Sequence, residues 1–326
     1  MPEPTHPASR VPLPVIIDTD PGIDDAQAIL FACLCGQFQI DAVTCVFGNV
    51  PVDLAALNAL RLIELAERPE VPVYLGAAEP LLRRRLRFAP MVHGEDGLGN
   101  VDWPRPAGRP APGYAAVELA RRALEAPGQI AVLTLGPLTN IALAMRLEPR
   151  FAGAVKEIIA MGGTVLGPGN VSAVASANIM NDPEAAKVVY GAGVPLTMVG
   201  LDVTKRVRIT PERRDRMKAA GTRIAEFVYR ITGFYAGAYL KEGIAGFPVH
   251  DLVVMAYALR PDLFEVKRLP VDVETEGALT GGMTVADFRP FTDRPANATV
   301  CMNADADAIL DWYERVITSA GARNSS

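Results

Sequence analysis

The sequence predicts a single α/β domain with a largely parallel, doubly wound (Rossmann-like) central sheet flanked by helices. Apolar runs typical of buried strands alternate with helical patterns, and polar residues follow several of these runs. Alternating strands and helices form a parallel sheet with helices on both faces. The chain has 326 residues, of which 50% are hydrophobic, so it can bury one large core or two small ones.

The first predicted unit is a strand, a turn and a helix. Residues 15–17 are an apolar run typical of a buried strand, Pro21 and Gly22 favour a tight turn, and residues 26–35 are long enough for a helix. Asp18 therefore falls at the end of the strand. The acidic residues that follow it lie in the turn and at the start of the helix.

Similar units recur along the chain. Asp182, Pro183 and Glu184 supply an N-cap, a proline at the first helical position and an acidic first turn, which together begin a helix. The other predicted elements are a strand at 40–47, a helix at 53–68, strands at 71–75 and 130–135, a helix at 139–147, strands at 155–161 and 195–201, a helical segment at 211–247, a helix ending near 259, and strands at 266–274 and 282–285.

Polar side chains follow several of the predicted strands. Open parallel sheets bind ligands beyond the carboxyl ends of their strands, so this edge is the expected place for a functional site. The polar residues in these positions are Asp20, Asn49, Asn170, Asn178 and Asp202.

Two segments outside the predicted sheet are candidates for ligand contacts. Residues 80–113 form a long loop in which an arginine run precedes His93, and long ordered loops are often functional. The arginine run is expected to be solvated or to face another subunit rather than to bind phosphate. The helical segment at 211–247 carries several aromatic residues, including Tyr235 and Tyr239. Most of these are expected in the core, but one or two can stack on a planar ligand.

Four aspartates within eight positions indicate a cation site. Asp18, Asp20, Asp24 and Asp25 directly follow an apolar run. Carboxylates about 5 Å apart repel one another by a few kcal/mol in a partly buried site, which favours a hard divalent cation among them. Asp20 and Asp25 are expected to converge at the carboxyl edge of the sheet, with Asp24 facing a ligand. In the alternative interpretation one aspartate caps the helix and the others are solvated.

Two other classes of acidic site are alternatives to this cation site, an EF-hand loop and an aspartyl phosphatase. An EF-hand loop needs glycine at its sixth position and glutamate at its twelfth, and these positions are Ile23 and Ile29, which excludes it. An aspartyl phosphatase would use Asp18 as its nucleophile. That alternative stays open at this point, although it leaves Asp24 and Asp25 without a role.

Composition limits the partners and the compartment. A net charge of −5 and a pI near 5.4 leave no basic surface for nucleic acid or an anionic membrane, so a small-molecule ligand is expected. Four cysteines in apolar contexts are typical of a reduced compartment, and no apolar run approaches the length of a membrane span. We therefore expect a cytoplasmic protein. Its domain is predicted at 11–319, with a disordered extension at 1–10 and a frayed tail at 320–326.

The acidic segment at 18–29, Asp-Thr-Asp-Pro-Gly-Ile-Asp-Asp-Ala-Gln-Ala-Ile, resembles the signature of the inosine-uridine preferring nucleoside hydrolases. The resemblance spans about residues 12 to 315. Further segments match in the same order: Phe-Gly-Asn at 47–49, His-Gly at 93–94, Leu-Gly-Pro-Leu-Thr-Asn-Ile-Ala at 135–142, Met-Gly-Gly at 161–163, Asn-Ile-Met-Asn-Asp-Pro-Glu-Ala-Ala at 178–186, Gly-Leu-Asp-Val-Thr at 200–204 and His-Asp at 250–251.

The resemblance implies a nucleoside hydrolase fold and calcium-dependent hydrolysis of the N-glycosidic bond of ribonucleosides to ribose and free base, of the pyrimidine or inosine-uridine type. It implies that one Ca²⁺ is held by Asp20, Asp25, the backbone carbonyl of Leu135 and Asp251, and that this ion also binds the ribose 2′- and 3′-hydroxyls. Oxygen ligands of this kind suit calcium. Family members are commonly homodimers or homotetramers, which is the expectation here.

The resemblance also implies roles around the ion. Asp20 is the expected general base, and His250 is expected to protonate the leaving base. Asp18 should lie just outside the metal ligands and orient the site. The implied substrate contacts are Asp24, Asn49, Asn170, Ser176, Asn178, His93, Tyr235 and Tyr239.

One residue departs from the family pattern. The position two before Asn178 is usually glutamate, which helps to bind the 5′-hydroxyl together with the asparagine matching Asn170, but here it is Ser176. A serine hydroxyl is shorter and uncharged, so a charge-assisted hydrogen bond is missing or is replaced by a bond to water. We therefore expect weak affinity for ordinary nucleosides or acceptance of a substrate altered at the 5′ position. A ribosyl-binding protein with little turnover is the alternative, although retention of Asp20, Asp25 and Asp251 argues against it.

Overall fold

An eight-stranded sheet lies at the centre of the computed structural model, which describes residues 11–320. The predicted extension at 1–10 and all but the first residue of the predicted tail lie outside the described residues. The strands are β1 Leu13–Thr19, β2 Phe38–Cys45, β3 Val73–Leu75, β4 Ala131–Thr134, β5 Glu157–Met161, β6 Leu196–Val199, β7 Arg208–Ile209, β8 Phe247–Pro248, β9 Phe264–Leu269, β10 Val271–Val273, β11 Thr284–Ala286 and β12 Ala298–Ala304.

The order of strands in this sheet is β3-β2-β1-β4-β5-β6-β12-β9. All neighbouring pairs are parallel except β12 and β9, which are antiparallel. The chain builds outward from β1 in one direction and then returns to add β4 on its other side. Ligands of open α/β sheets bind outside the carboxyl ends of the strands at such a reversal. The predicted fold class is confirmed, with one antiparallel edge strand added.

Helices cover both faces of the sheet. Successive residues of β1 point to opposite faces, so Val15 and Ile17 pack in one apolar core and Ile16 in the other. Within residues 11–320 no helix has both the length and the apolar character needed to cross a membrane. The helices are α1 Ile23–Leu34, α2 Val52–Leu65, α3 Pro90–His93, α4 Ala115–Glu125, α5 Thr139–Leu147, α6 Phe151–Ala154, α7 Ala177–Asn181, α8 Pro183–Tyr190, α9 Leu201–Thr204, α10 Pro211–Ala219, α11 Arg223–Lys241, α12 Leu252–Leu259 and α13 Ala306–Ser319, with a 3₁₀ turn at Pro261–Leu263.

The C-terminal third differs most from the prediction. The strand predicted at 266–274 is two strands, because Pro270 has no N–H to donate between them. The first, β9, joins the edge of the main sheet, and the second, β10, pairs with β11 in a separate two-stranded sheet. The helical segment predicted at 211–247 breaks into α10 and α11 near Gly221, which has a positive φ of 65°. Sequence analysis did not predict α4, β12 or α13.

Asn140 links three elements next to the reversal point. Its amide nitrogen donates to Asp18 Oδ1 at 2.8 Å and to the carbonyl of Cys45 at 3.0 Å, and its Oδ1 accepts from the Ala77 N–H at 2.9 Å. Thr44 Oγ1 donates to the same Asp18 oxygen at 2.5 Å. Asp18 is fully buried, and this burial raises the pKa of its carboxyl to about 7. These bonds hold β1 against β2 and α5.

Replacement of Asn140 should therefore destabilise the fold. The Asn140→Ala variant removes one hydrogen bond from each of three buried groups and leaves two of them, the Cys45 carbonyl and the Ala77 N–H, without that partner, so we expect a loss of about 2 to 4 kcal/mol in the free energy of unfolding. The matched control is Asn303→Ala, because the Asn303 side chain bonds to Arg206 and Glu265 at the surface, and its expected cost is about 0.5 kcal/mol or less. Urea denaturation of both variants measures the difference, and equal midpoints would contradict this account.

Candidate active site

A cavity of about 540 Å³ opens at the carboxyl edge of the sheet. Its size is within the range of small-molecule sites, and its wall mixes apolar and polar side chains. Most of the site residues predicted from sequence line it. They are Asp24, Asn49, His93, Leu135, Asn170, Ser176, Asn178, Tyr235, Tyr239, His250 and Asp251.

Three buried carboxylates converge beside this cavity. One oxygen atom from each of Asp24, Asp25 and Asp251 lies within 4.8 Å of the other two. Asp24 and Asp25 are in the first turn of α1, where the helix dipole favours negative charge. Asp251 is the N-cap residue of α12. Two distant segments of the chain therefore meet at one acidic point, and these oxygens could hold a metal ion.

Asp25 is held in place by three donors. Thr19 Oγ1 donates to its Oδ1 at 2.6 Å, while the Gly22 N–H at 3.0 Å and the Asn49 amide at 3.1 Å both donate to its Oδ2. The bond from Gly22 is local to the start of α1, and the bond from Asn49 ties the end of β2 to the cluster. The Asp25 carboxylate is therefore oriented before any ligand arrives.

Asp20 lies beside this group in a space that two glycines leave open. Its Oδ2 accepts from the Asn49 N–H at 2.6 Å, and its buried Oδ1 has no hydrogen-bond partner. A Cβ atom at Gly48 would lie 1.9 Å from Asp20 Oδ2, and one at Gly136 would lie 2.4 Å from Oδ1. No side chain larger than hydrogen fits at either position without moving this carboxylate. The three carboxylates that converge are those of Asp24, Asp25 and Asp251, whereas the expected metal ligands were Asp20, Asp25 and Asp251. The role of Asp20 as a metal ligand stays a prediction.

Leu135, whose carbonyl is a predicted metal ligand, lines the cavity directly after β4. It accepts a hydrogen bond from the Asn178 side-chain amide, which also donates to the Met161 carbonyl at 3.1 Å. Asn178 therefore bridges the ends of β4 and β5 while it lines the cavity. A carbonyl oxygen has two lone pairs, so Leu135 keeps one for a further partner.

The electrostatics of the cluster call for a cation. Burial, followed by repulsion from Asp25, raises the pKa of Asp24 to about 8 and the pKa values of Asp20 and Asp251 well above the ordinary range. Among residues 11–320, the only basic side chain within salt-bridge distance of these acids is His93, whose Nδ1 is 3.9 Å from Asp24 Oδ1. Burial lowers the pKa of His93 to about 4, so this ring is neutral at pH 7. An all-oxygen donor set with unpartnered buried atoms fits a hard divalent cation such as Ca²⁺.

His93 and His250 are both buried, and each has one ring nitrogen in a hydrogen bond. His93 Nδ1 accepts from the Ile23 N–H at 3.1 Å, so its proton is on Nε2, and its ring stacks on Tyr235 with a centroid distance of 5.6 Å. His250 Nδ1 lies 2.7 Å from Thr204 Oγ1. Burial, with smaller effects from nearby cations, lowers the pKa of His250 to about 3. Both rings are therefore neutral at pH 7.

The aromatic wall of the cavity comes from α11. Tyr235 is buried and makes an edge contact with Tyr239 at a centroid distance of 5.1 Å. Burial raises the pKa of Tyr239 to about 12, so its phenol stays neutral at pH 7. Both rings lie on the side of the cavity that carries His93 and can contact a planar ligand.

Asn170 and Ser176 line the part of the wall formed by the loop after β5. Asn170 Oδ1 accepts from the Ala177 N–H at 2.9 Å, and Ser176 Oγ accepts from the Gly163 N–H at 2.7 Å. The serine at the departure from the family pattern is therefore buried and supports the turn after β5. Its hydroxyl proton is left to donate.

Several polar residues singled out in the sequence do not line the cavity. Asp18 is fully buried with Oδ1 held by Thr44 and Asn140, so it cannot serve as a phosphatase nucleophile. The Asp202 carboxylate accepts the N–H groups of Val165, Leu166 and Gly167, and so stabilises a turn. The arginine run of the long loop is also outside the cavity wall.

The cavity wall also contains two basic residues that were not predicted from the sequence, Lys205 and Arg208. A signal was available, because Lys205 directly follows the matched segment Gly-Leu-Asp-Val-Thr at 200–204. The structure also reveals Thr204 as the partner of His250, a contact between residues 46 positions apart that no local pattern indicates.

Comparisons with known proteins agree with this geometry. A family model described as inosine-uridine preferring nucleoside hydrolase matches residues 15–311. The chain is 39% identical to an inosine-uridine preferring nucleoside hydrolase of Leishmania major, over 94% of this chain and 99% of that protein. It is 37% identical to the pyrimidine-specific ribonucleoside hydrolase RihA of Salmonella schwarzengrund, over 92% of this chain and 96% of the relative.

Solved structures show the same fold. The plant nucleoside hydrolase PpNRh1 superposes with a TM-score of 0.91 at 33% identity. The match covers 95% of this chain and 100% of the plant enzyme's chain. The family and enzyme class predicted from the motifs are confirmed. The chain therefore belongs to the inosine-uridine preferring nucleoside hydrolase family and is an N-glycosyl hydrolase of that family.

Proposed function

We propose that this protein hydrolyses the N-glycosidic bond of ribonucleosides of the pyrimidine and inosine-uridine type, and that it requires Ca²⁺ to do so. The observation that carries the proposal is the convergence of three buried carboxylates beside a ligand-sized cavity, where no lysine or arginine of residues 11–320 pairs with them. The name of the 37% identical relative, a pyrimidine-specific hydrolase, supports the pyrimidine preference. A homodimer or homotetramer and a cytoplasmic location remain predictions.

The ion would be held by Asp25 and Asp251, with Asp20 and the Leu135 carbonyl completing the set inferred from the resemblance. Calcium bound there would orient the ribose diol and acidify an attacking water. Asp24, with a buried and unpartnered Oδ1, is available to accept a hydrogen bond from a ribose hydroxyl. Asn49 and Asn178 are held beside it by their own hydrogen bonds, and they complete the polar contacts of the sugar.

The protein supplies a base for the water and a hydrogen bond for the leaving group. Asp20 Oδ1 has no partner, so it is free to take the proton of the attacking water. As the C1′–N bond breaks, positive charge develops on the sugar, and the surrounding carboxylate oxygens stabilise it. His250 is neutral, so it assists by donating a hydrogen bond from Nε2 to the departing base when Thr204 donates to Nδ1.

Metal removal tests the calcium requirement. Treatment with a chelator should abolish release of ribose from uridine, and added Ca²⁺ should restore it, because the mutual repulsion of the acids is no longer offset without the ion. Calcium should also raise the melting temperature, since it binds only the folded state. The shift should be lost in Asp251→Asn and kept in Asp53→Asn, a matched change at an exposed site. Full activity in chelator would exclude the metal.

The role of Asp20 is tested by removing its charge. Asp20→Asn keeps the size of the side chain but cannot accept the proton of water, so kcat for uridine should fall by about two to four powers of ten. Asp53→Asn again serves as the control and should keep the wild-type rate. Steady-state kinetics with a reducing-sugar assay measures both. A kcat for Asp20→Asn within threefold of the control would rule out Asp20 as the base.

The role of His250 is tested by changing the leaving group. His250→Ala should lower kcat/KM for uridine by about 10²-fold or more, because pyrimidine leaves poorly without a donor. The loss should be much smaller for a nitrophenyl riboside, whose phenolate leaves without protonation. His93→Ala provides the comparison, since a binding residue should affect both substrates alike. Equal losses on both substrates in His250→Ala would contradict the assignment.

A further inference from the structure

Two positive side chains on the cavity wall have no role in the proposed function. Lys205 and Arg208 both line the cavity and are partly buried. Within residues 11–320, neither has a carboxylate within salt-bridge distance, although many arginines of the surface do, among them Arg121, Arg150 and Arg213. Burial lowers the pKa of Lys205, and Asp202 is near enough to offset part of this effect. The Asp202 oxygens, however, accept the N–H groups of residues 165–167, so no carboxylate of the described residues pairs directly with either cation.

Both cations are fixed by backbone carbonyl groups. Lys205 Nζ donates to the carbonyls of Pro168 at 2.9 Å and Gly169 at 3.1 Å. One nitrogen of the Arg208 guanidinium donates to the carbonyls of Ala245 and Gly246, both at 3.2 Å. These contacts position the charged groups and leave other N–H donors of each side chain unused.

Two polar side chains of the wall near Lys205, Asn170 and Ser176, have donors left for a ligand. Pro168 and Gly169 directly precede Asn170, whose Oδ1 is occupied by the Ala177 N–H, so its amide N–H groups are left for a ligand. The Ser176 oxygen accepts from Gly163, which leaves its hydroxyl proton. The acidic group in this part of the cavity wall is Glu242, which is exposed and lies near Tyr239.

Two cations beside free amide and hydroxyl donors match an anion better than a free hydroxyl. A ribose 5′-hydroxyl needs an acceptor for its own proton, which is the part that a glutamate at position 176 would play. A phosphate ester needs the opposite, because its oxygens are acceptors and it carries close to two negative charges at pH 7. Lysine, arginine, a serine hydroxyl and an asparagine amide are all groups that bind phosphate oxygens.

We propose that Lys205, Arg208, Asn170 and Ser176 bind a phosphate on C5′ of the ribose, so that nucleoside 5′-monophosphates are the preferred substrates. This inference rests on the proposed function, because the acidic group must hold the sugar diol at the other side of the cavity. The water oxygen bonds to C1′ as the C1′–N bond breaks. One water proton goes to Asp20 and the other stays on the new C1′ hydroxyl. The base nitrogen takes up one proton from solvent and Asp20 later returns its proton to solvent, which yields ribose 5-phosphate and free base. The phosphate ester bond stays intact.

The acidic group and the two cations come from different parts of the chain, which is compatible with this orientation. The carboxylates converge at Asp24, Asp25 and Asp251, whereas the two cations come from β7 and the turn before it. A dianionic ligand would be repelled by the acids unless its charged end were held elsewhere. The cations provide that place.

The test compares uridine 5′-monophosphate with two uncharged nucleosides. These are uridine, which has a 5′-hydroxyl, and 5′-deoxyuridine, which lacks it. We expect kcat/KM for the monophosphate to exceed that for either nucleoside by about tenfold or more, as one or two charge-assisted hydrogen bonds would produce. No inorganic phosphate should be released. Ribose 5-phosphate should also bind the calcium-loaded protein more tightly than ribose in calorimetry.

Variants of the wall residues test whether these side chains bind the 5′-phosphate. Lys205→Met and Arg208→Met should each lower the ratio of monophosphate to uridine kcat/KM by about tenfold, and Ser176→Glu should reverse the preference by adding a repulsive charge. Lys156→Met is the matched control, because Lys156 is exposed and precedes β5 at the opposite edge of the sheet, and it should leave the ratio unchanged.

Two results overturn the inference. One is a preference for uridine over its monophosphate in the wild type, and the other is a ratio in Lys205→Met equal to that in Lys156→Met. Failure of the proposed function has a different signature, in which no nucleoside or nucleotide releases sugar even with Ca²⁺. The calorimetry still decides in that case, because equal affinities for ribose 5-phosphate and ribose would reject the phosphate-binding wall.

Discussion

The repulsion among buried carboxylates at the carboxyl edge of the sheet is the constraint on which the rest of the site depends. Asp24, Asp25 and Asp251 bring oxygen atoms within 4.8 Å of one another, and Asp20 lies close enough to raise the pKa of Asp251. No arginine or lysine of the described residues neutralises them. Such an arrangement persists only if the surrounding structure holds the acids in place and a cation offsets their charge. Both requirements are visible in the fold.

The scaffold around the acids is unusually well bonded. Asn49, Thr19 and the Gly22 N–H orient Asp25, and Thr44 with Asn140 ties Asp18 between neighbouring strands. Gly48 and Gly136 leave the space that the Asp20 carboxylate fills. The two apolar cores on either side of the sheet provide the stability against which this local repulsion is maintained. The site is therefore rigid at its acidic end, as chemistry at C1′ requires.

The cavity has two chemically different ends. The acidic end suits a metal ion and a sugar diol, and the end formed by Lys205 and Arg208 suits an anion. Two neutral histidines, His93 and His250, also line the cavity. In the proposed binding mode the ribosyl ligand has its diol at the acids and its 5′ end at the cations. Ser176 belongs to the second end, which gives the departure from the family pattern a physical meaning.

Local patterns predicted most of the strands and helices in the first half of the fold, although not α4. The strand, turn and helix at 15–35 depend on residues within about ten positions of one another, and the predicted N-cap Asp182 accepts a hydrogen bond from the Ala185 N–H. The C-terminal third was harder. Strand β12 is inserted between β6 and β9, which are remote from each other in sequence, and nothing in its own residues specifies those neighbours.

The sequence by itself determined the fold class, the acidic cluster after β1 and, through ordered motifs, the family. Tertiary structure alone decided which atoms meet. It brought Asp251 to Asp24 and Asp25, set Thr204 against His250, turned Asp202 into a turn-stabilising group and put Lys205 on the cavity wall. The physical reason is that periodicity and capping report interactions between near neighbours in the chain, whereas a site is assembled by packing of distant segments whose spacing no local pattern encodes.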